Sequence, residues 1–322
     1  MDKLLSIEHL NVDFAMRTGP LRAVNDVSLT VDKGERLGLV GESGAGKSVL
    51  GFSIINLISK PGYIQSGRVI FQGTDISSYS DEQIRQVRGN RISMIFQDPM
   101  MTLNPVLTIG AQMRETLHAH GSMSEAAATA ICLEKLKKVY ISSPHKRLSQ
   151  YPHEFSGGMR QRIVIAISLL TSPALIIADE PTTALDVTIQ AEIMDLLLEL
   201  CKNENMGLLL ITHDLAVVSQ VTQRIAVMYA GTIVELGPTE EIIHKPQHPY
   251  TRGLLGALPQ KASGRGRLNQ IPGVMPGLAK IPVGCPFSNR CSLVREVCRS
   301  TRPTLDAKKS GNQVACHLVD QG

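Results

Sequence analysis

The chain has no tryptophan and only six phenylalanines and six tyrosines in 322 residues. Proteins that bind single-stranded nucleic acid stack bases on aromatic platforms, and such platforms would be sparse here. An excess of one charge is missing too: 33 Lys and Arg against 29 Asp and Glu leave a formal net charge of +4. That is not the basic footprint of a dedicated nucleic-acid binder. No stretch approaches the ~18–20 uninterrupted apolar residues needed to cross a bilayer. The start, MDKLLSIEHLNVDF, lacks the apolar core and small-residue cleavage site of an export signal, so the expected compartment is the cytosol. Internal repeats and long charge runs are absent. Cysteine is scarce at six, yet four fall between residues 285 and 316. In a reducing compartment, clustered thiols point to metal or redox chemistry rather than structural disulfides. What remains is ordinary for a globular chain: 43% apolar residues and enough length for one large domain with an appendage, or for two domains.

LGLV (37–40) reads as a short buried strand that runs straight into G-E-S-G-A-G-K-S, from Gly41 to Ser48. VLGFSIINLI follows with helical length and periodicity. Strand, glycine-rich loop and helix form the context that a phosphate loop requires. Gly41, Gly44 and Gly46 allow a tight turn with N–H groups pointing inward, and the helix start favours anions. Glu42, Ser43, Ala45 and Val49 complete the candidate lining. Lys47 can reach the β- and γ-phosphates, and the Ser48 hydroxyl can bind Mg²⁺.

LIIADE (175–180) reads as a second buried strand that ends in two acids. In a parallel sheet the strand C-termini face the ligand crevice, where Asp179 would hold Mg²⁺ and Glu180 would act on the attacking water. Alone, two acids could simply end a strand in solvent. Between these segments lies FSGGMRQR (155–162), a serine cap with exposed backbone donors before an apolar helix. It is either a second anion site or an ordinary capped helix.

Taken together, these motifs resemble the nucleotide-binding subunit of an ATP-binding-cassette (ABC) transporter. GESGAGKS is similar to the family's Walker A motif and LIIADE to its Walker B, while FSGGM resembles the signature usually written LSGGQ, with Met159 in place of Gln and Phe155 in place of Leu. Gln97 in IFQDP matches the Q-loop, Asp186 in ALD (184–186) the D-loop, and His213 in LLLITHD the switch histidine. Phe14 falls where family members place an aromatic against adenine; it could equally be a core residue of an N-terminal strand. The match covers about residues 4–260. It implies an α/β fold: a phosphate-loop ATPase core with an antiparallel β subdomain and a helical subdomain at about 97–160. A small Cys-rich C-terminal extension follows, the cassette spanning 1–259 and the extension 260–322.

In this family two cassettes pack head to tail around ATP. Lys47, Ser48, Gln97, Asp179, Glu180 and His213 would then serve the chain's own nucleotide, with Glu180, His213, Gln97 and Lys47 as the catalytic group and Ser48, Gln97 and Asp179 around Mg²⁺. Ser156, Gly157, Gly158 and Met159 would serve the partner's nucleotide. No membrane span is present, which implies separate permease chains and favours importer architecture over fused exporters. HKPQHPYTRGLLGALP (244–259) and YPHEFSGG resemble segments of oligopeptide and dipeptide importer ATPases, although HPYT could also be a proline turn capping a helix. The implied partners are two transmembrane permeases, a second ABC ATPase (a paralogue or a copy of this chain) and, indirectly, an extracytoplasmic solute-binding protein. The implied location is the cytoplasmic face of the inner membrane, as a peripheral subunit. A soluble cassette acting on nucleic acid or ribosomes, or an export ATPase, is the alternative.

The same resemblance implies a 4Fe-4S cluster on Cys285, Cys291, Cys298 and Cys316, spaced C-x5-C-x6-C-x17-C. Four thiolates could also hold tetrahedral zinc, which more often shows C-x2–4-C pairs. His317 could stand in for Cys316, or the four could be buried thiols without a ligand. The tail is Pro-rich and poor in apolar residues, so a metal staple would help it fold. Cys132 and Cys201 lie in helical patterns and read as packing residues. Residues 260–282 read as loop or linker, 1–36 as antiparallel strands turning near Thr18-Gly19-Pro20, and MYAGTIVELG (228–237) as a hairpin turning near Ala230-Gly231.

Overall fold

Alternating apolar and polar residues make the N-terminal strands. In the computed structural model, which describes residues 3–183, 185–257, 270–308 and 311–319, β1 (Lys3–Met16) turns at Arg17-Thr18 into β2 (Gly19–Asp32). Leu5, Ile7, Leu10 and Val12 are buried. The three-residue step from Ile7 to Leu10 breaks the period of two, and the register shifts there, between Glu8 and Asn11. A bulge of this kind returns the following apolar residues to the buried face. The short buried strand β3 (Arg36–Val40) leads through the glycine loop into α1 (Lys47–Ile54), and β4 (Gly62–Phe71) and β5 (Thr74–Asp75) follow. One sheet has the order β2-β1-β4-β5.

The sequence pattern predicts a longer α1 than the structure contains. Asn56 adopts φ 49°, its N–H donates to Ser53, and the Leu57 N–H donates to Phe52. A left-handed residue just past the helix, with these two crossing bonds, is the Schellman stop. It satisfies the last carbonyls and turns the chain away before the apolar run is exhausted.

The middle of the chain holds α2 (Asp81–Val87), β6 (Ile92–Ile95), α3 (Pro99–Thr102), α4 (Ile109–His118), α5 (Glu125–Lys138) and α6 (Pro144–Arg147). It continues with α7 (Gly157–Ser168), β7 (Leu175–Asp179) and α8 (Val187–Glu204). Side-chain caps start five of these helices, from Ser80, Thr108, Ser124, Ser156 and Asp186. β6 and β7 pair in parallel, from Ile92 opposite Leu175 to Ile95 opposite Ala178. The chain then runs through β8 (Gly207–Thr212), α9 (Leu215–Val221), β9 (Arg224–Tyr229), β10 (Thr232–Pro238), α10 (Thr239–His244) and α11 (Pro249–Gly256). The extension contributes α12 (Glu296–Ser300), β11 (Asp306–Ala307) and β12 (Gln313–Val314).

Two compact units result: Met1–Leu4, Asp32–Gly34 and Ser78–Leu209 form one, and Leu5–Val31, Glu35–Ser77 and Leu210–Gly322 the other. In the second unit β3 lies parallel to β9, β9 and β10 form a hairpin, and β12 of the extension adds to β10 with Val314 opposite Glu235. Ala230 and Gly231 turn the hairpin with φ 44° and 83°, the doubly positive geometry that matches strand twist. Cys132 and Cys201 are buried in α5 and α8, as packing residues would be. Of the linker reading, residues 260–269 lie outside the described residues, as does the motif residue Ala184, whereas 270–282 run as loop with one short 3-10 turn at Leu278–Lys280. No described helix is long and apolar enough to cross a membrane.

Candidate functional site

The candidate phosphate loop, Gly41 to Ser48, lies between β3 and the first turn of α1. Gly44 and Gly46 take φ 81° and 100°, backbone that glycine adopts without cost. A Cβ at Gly41 would sit 2.2 Å from the Met228 carbonyl oxygen, and one at Gly46 would sit 2.7 Å from that of Ala23. Substitution at either would therefore push the loop off the strands behind it. α1 begins at Gly46 without a side-chain cap and has no acid in its first turn. A helix start of this kind, with its dipole and no acid beside it, favours an anion. Lys47 is 5% exposed and donates to the loop's own carbonyls, Gly41 at 2.8 Å and Glu42 at 3.0 Å. Ala45 is buried, Ser43 and Gly44 are exposed at the tip, and Glu42, Ser48 and Val49 are partly covered.

In the same unit, Phe14 is half-buried at the end of β1, opposite Gly62, over which its ring lies. It is neither fully in the core nor fully exposed. His213 is exposed just beyond β8, and the next residue, Asp214, caps α9 through the Ala216 and Val217 amides.

In the other unit the parallel register brings Gln97 and Glu180 together. Each lies two residues past the paired Ile95 and Ala178, and Gln97 Nε2 donates to Glu180 Oε2 at 2.9 Å. Thr183 Oγ1 donates to the same oxygen at 3.1 Å; nothing in the local pattern singled out this residue. Glu180 holds φ 46°, a strained region for a non-glycine residue that is found at functional positions. Asp179 is buried at the end of β7. Ser156 caps α7, accepting from the Met159 N–H at 3.4 Å, and both Ser156 and Gly157 are exposed. A Cβ at Gly158 would come within 2.8 Å of Ile189, so glycine there lets α7 approach α8. Asp186 caps α8, accepting from the Ile189 N–H at 3.1 Å. Phe155 is buried with the Arg147 guanidinium over its ring.

The extension gathers its four cysteines. Each of the six pairs among Cys285, Cys291, Cys298 and Cys316 is close enough to interact electrostatically. Burial pushes the Cys285 thiol up to about 11, against an opposing bond from the Phe287 N–H. The thiols of Cys291 and Cys316 also rise through burial. A repeated motif appears: the amide two residues on (Phe287, Leu293 or Leu318) donates to Cys285, Cys291 or Cys316. Such N–H···S bonds favour sulfur in its anionic form. His317 Nε2 donates to the Thr301 carbonyl at 2.9 Å. None of the six cysteines is disulfide-bonded, and among the described residues no three His, Cys, Asp or Glu form a group ready to hold a metal ion.

Four further residues were not among the candidate site residues. Phe287 stands edge-on to Tyr229 at 5.2 Å, and Tyr229 to Tyr250 at 4.7 Å. Arg290, directly before Cys291, forms an ion pair with Glu42 of the phosphate loop at 2.7 Å. Tyr250 was visible as part of HPYT, whose His248 does cap α11; the long-range partners were not visible.

Known proteins resemble the chain in sequence and in fold. The ABC transporter family profile matches residues 24–183, and that of the oligopeptide/dipeptide transporter C-terminal region matches residues 234–298. The dipeptide transport ATP-binding protein DppD of Bacillus subtilis is 48% identical over 100% of this chain and 96% of its own length. DppD of Escherichia coli is 46% identical over 99% and 98%, and a putative peptide import ATP-binding protein of Brucella abortus is 48% identical over 94% and 93%. Among solved structures, the dimeric ATP-binding cassette MJ0796 with ADP and Pi matches with TM-score 0.65 and 26% identity, over 73% of this chain and 98% of that one. CbiO1 of Clostridium perfringens, part of the ABC transporter complex CbiONQ, gives 0.66 and 26% over 76% and 92%. With an uncapped helix behind its phosphate loop, a paired Gln97 and Glu180, and full-length relatives of this kind, the chain belongs to the ABC transporter ATPases, in the branch that carries the oligopeptide/dipeptide transporter C-terminal region.

Proposed function

We propose that the chain is the ATP-hydrolysing subunit of a peptide importer of the dipeptide and oligopeptide class. The observation that carries this reading is the pairing of an ABC cassette with the peptide-transporter C-terminal region in relatives aligned end to end. Lys47 and the α1 amides hold the β- and γ-phosphates, and Gly41 to Val49 line them. Phe14 lies against adenine. Mg²⁺ would be held by Ser48, Gln97 and Asp179, a hard oxygen set of the kind it prefers. The Gln97 amide nitrogen is engaged by Glu180, so its oxygen is the end available to a cation. When bound, Mg²⁺ neutralises charge on the phosphates. Glu180, fixed by Gln97 and Thr183, orients the water and draws off its proton. Water attacks the γ-phosphorus, the bond to the bridging oxygen breaks, and ADP leaves, with His213 steadying the γ-phosphate.

Ser156, Gly157, Gly158 and Met159 face outward to a second cassette's nucleotide, and Asp186 sits by the same seam. The dimeric relative bound to ADP and Pi supports this arrangement. ATP then joins the two cassettes, hydrolysis releases them, and two permease chains convert the opening into transport. The second cassette is a copy or a paralogue, and a solute-binding protein acts from outside. The protein sits peripherally on the cytoplasmic face of the inner membrane and takes no nucleic acid. The four thiols, three of them with amide donors, fit the chemistry of a 4Fe-4S cluster, which would be held by Cys285, Cys291, Cys298 and Cys316 and would supply a covalent staple for the extension.

The test is co-purification of tagged protein from mildly solubilised membranes. Two multi-span permeases are expected, with ATPase activity raised by peptide-loaded binding protein. Ribosomal or DNA-bound partners in their place would overturn the reading. Iron and acid-labile sulfide in stoichiometric amounts, lost in Cys291→Ser, are expected of the anaerobically purified protein; zinc alone would replace the cluster with a mononuclear site.

A further inference from the structure

Glu42, the second residue of the phosphate loop, is gripped at three points. Its carbonyl accepts from Lys47 at 3.0 Å. Its backbone N–H donates to the Tyr250 hydroxyl at 2.8 Å. Its carboxylate takes both arms of the Arg290 guanidinium, Nη1 to Oε2 at 2.7 Å and Nη2 to Oε1 at 3.1 Å. Tyr250 lies 208 residues downstream and Arg290 248. The Arg290 side chain is 7% exposed. It is braced in turn, since Nε donates to the Pro272 carbonyl at 2.9 Å and the guanidinium lies over the Tyr229 ring. A two-armed pair in a covered setting is the geometry that arginine supplies and lysine does not.

We infer that Arg290 and Tyr250 are positioning residues for the phosphate loop, and that ATP affinity therefore depends on the folded C-terminal extension. The physical reason is preorganisation. A loop with glycines at three of its positions loses conformational freedom when it closes on phosphate, and any part of that ordering done beforehand appears as affinity. Arg290 fixes the carboxylate and Tyr250 fixes the amide, so the Glu42 carbonyl is already aimed at Lys47. Both residues act through Glu42 and lie outside the phosphate-holding set of the proposed function. Their effect should fall on binding and leave the chemical step alone. This rests on the reading above that Gly41 to Ser48 holds ATP.

The experiment uses the full-length chain in its assembled complex and measures the Kd of a fluorescent ATP analogue, with KM and kcat for ATP. Arg290→Gln is expected to raise Kd and KM about fivefold to tenfold with kcat within about twofold, and Glu42→Gln to raise Kd by a similar factor. The double variant should be no worse than the more impaired single one, and Arg290→Lys should recover part of the loss. Limited proteolysis of the extension reports whether it stays folded. If Arg290→Gln keeps a resistant extension and wild-type KM, or if the two changes multiply, the inference falls. If Arg290→Gln opens the extension, Tyr250→Phe decides: it removes one oxygen and should raise KM about threefold, and an unchanged KM overturns the inference. Lys47→Ala separates the two levels: if it binds nucleotide like wild type, the loop is not the ATP site and the proposed function fails first.

Discussion

Two helix starts in this chain are suited to anions, and they are built in opposite ways. α1 begins at Gly46 with no capping side chain, behind a loop that Lys47, Tyr250 and Arg290 hold from within the same unit. α7 begins at Ser156, whose hydroxyl caps its own helix, and Ser156 and Gly157 are exposed. Neither helix has an acid in its first turn. The helix chemistry is thus shared, and the difference lies in the surroundings. The first site is enclosed on its inner side by residues of its own unit, with Ser43 and Gly44 exposed at the tip; the second presents Ser156 and Gly157 outward. An enclosed site can hold a ligand unaided, whereas an outward one acts when another body brings the ligand to it.

The largest expected effect strikes the enclosed site. Lys47→Ala should abolish both nucleotide binding and hydrolysis, because the buried ammonium is the cation proposed to lie beside the phosphates. Binding retained at the wild-type level by calorimetry would mean that the loop is not the ATP site, and the comparison would fall with it. Next comes Glu180→Gln. On its proposed role as the group that draws off the proton, losing the Glu180 carboxylate should slow hydrolysis about 10²- to 10⁴-fold while ATP binding persists, so that cassettes accumulate as an ATP-bound pair on size exclusion. A hydrolysis rate near wild type would remove Glu180 from the chemistry. Ser156→Ala tests the outward site. The hydroxyl it removes would bond a charged phosphate, an interaction worth about tenfold to a hundredfold in turnover, and the nucleotide affinity of the isolated chain should not change. If that affinity falls as much as turnover, α7 serves its own chain's ATP and the comparison breaks.

How far these sites could be read from sequence follows the same division. The glycine loop, the acids after β7 and the serine before α7 are local patterns, each fixed by residues within a few positions. Gln97 beside Glu180 needed the β6–β7 register as well, and the family motifs supplied it indirectly. The end of α1 was open to reading in principle, since Asn56 stands where the left-handed stop falls; apolar periodicity continued past it and masked the stop. Arg290 could not be read. Its neighbour Cys291 drew attention to the extension as a self-contained staple, and no local pattern links an arginine to a carboxylate 248 residues earlier. Tyr250 was half legible, because His-Pro is a recognisable helix start while the tyrosine's partner is a distant amide.

The smallest expected effect concerns the wall behind the enclosed site. His248 is 1% exposed, its Nδ1 accepts from the Tyr250 N–H at 3.1 Å, and burial, with the charge of Arg252, pushes its pKa down to about 3. The ring is neutral in the fold and would lose that acceptor on protonation. An unfolded chain takes up the proton near pH 6.5, so between about 6.5 and 3 the unfolded state binds more protons and stability falls as pH falls, by at most about 1.4 kcal/mol per pH unit. Buried Glu235, which accepts from the Gln247 and His248 amides, is shifted upward by desolvation and contributes the opposite slope, since the folded state then holds the proton longer. A difference measurement isolates the histidine. Between pH 7 and 5, wild type should lose more denaturant stability than His248→Gln, which keeps a side-chain acceptor but does not titrate. Parallel curves would show that the imidazole is not held neutral and that the support behind the phosphate loop tolerates acid, whereas converging curves would place the acid-sensitive point of the enclosed site in the segment that carries Tyr250.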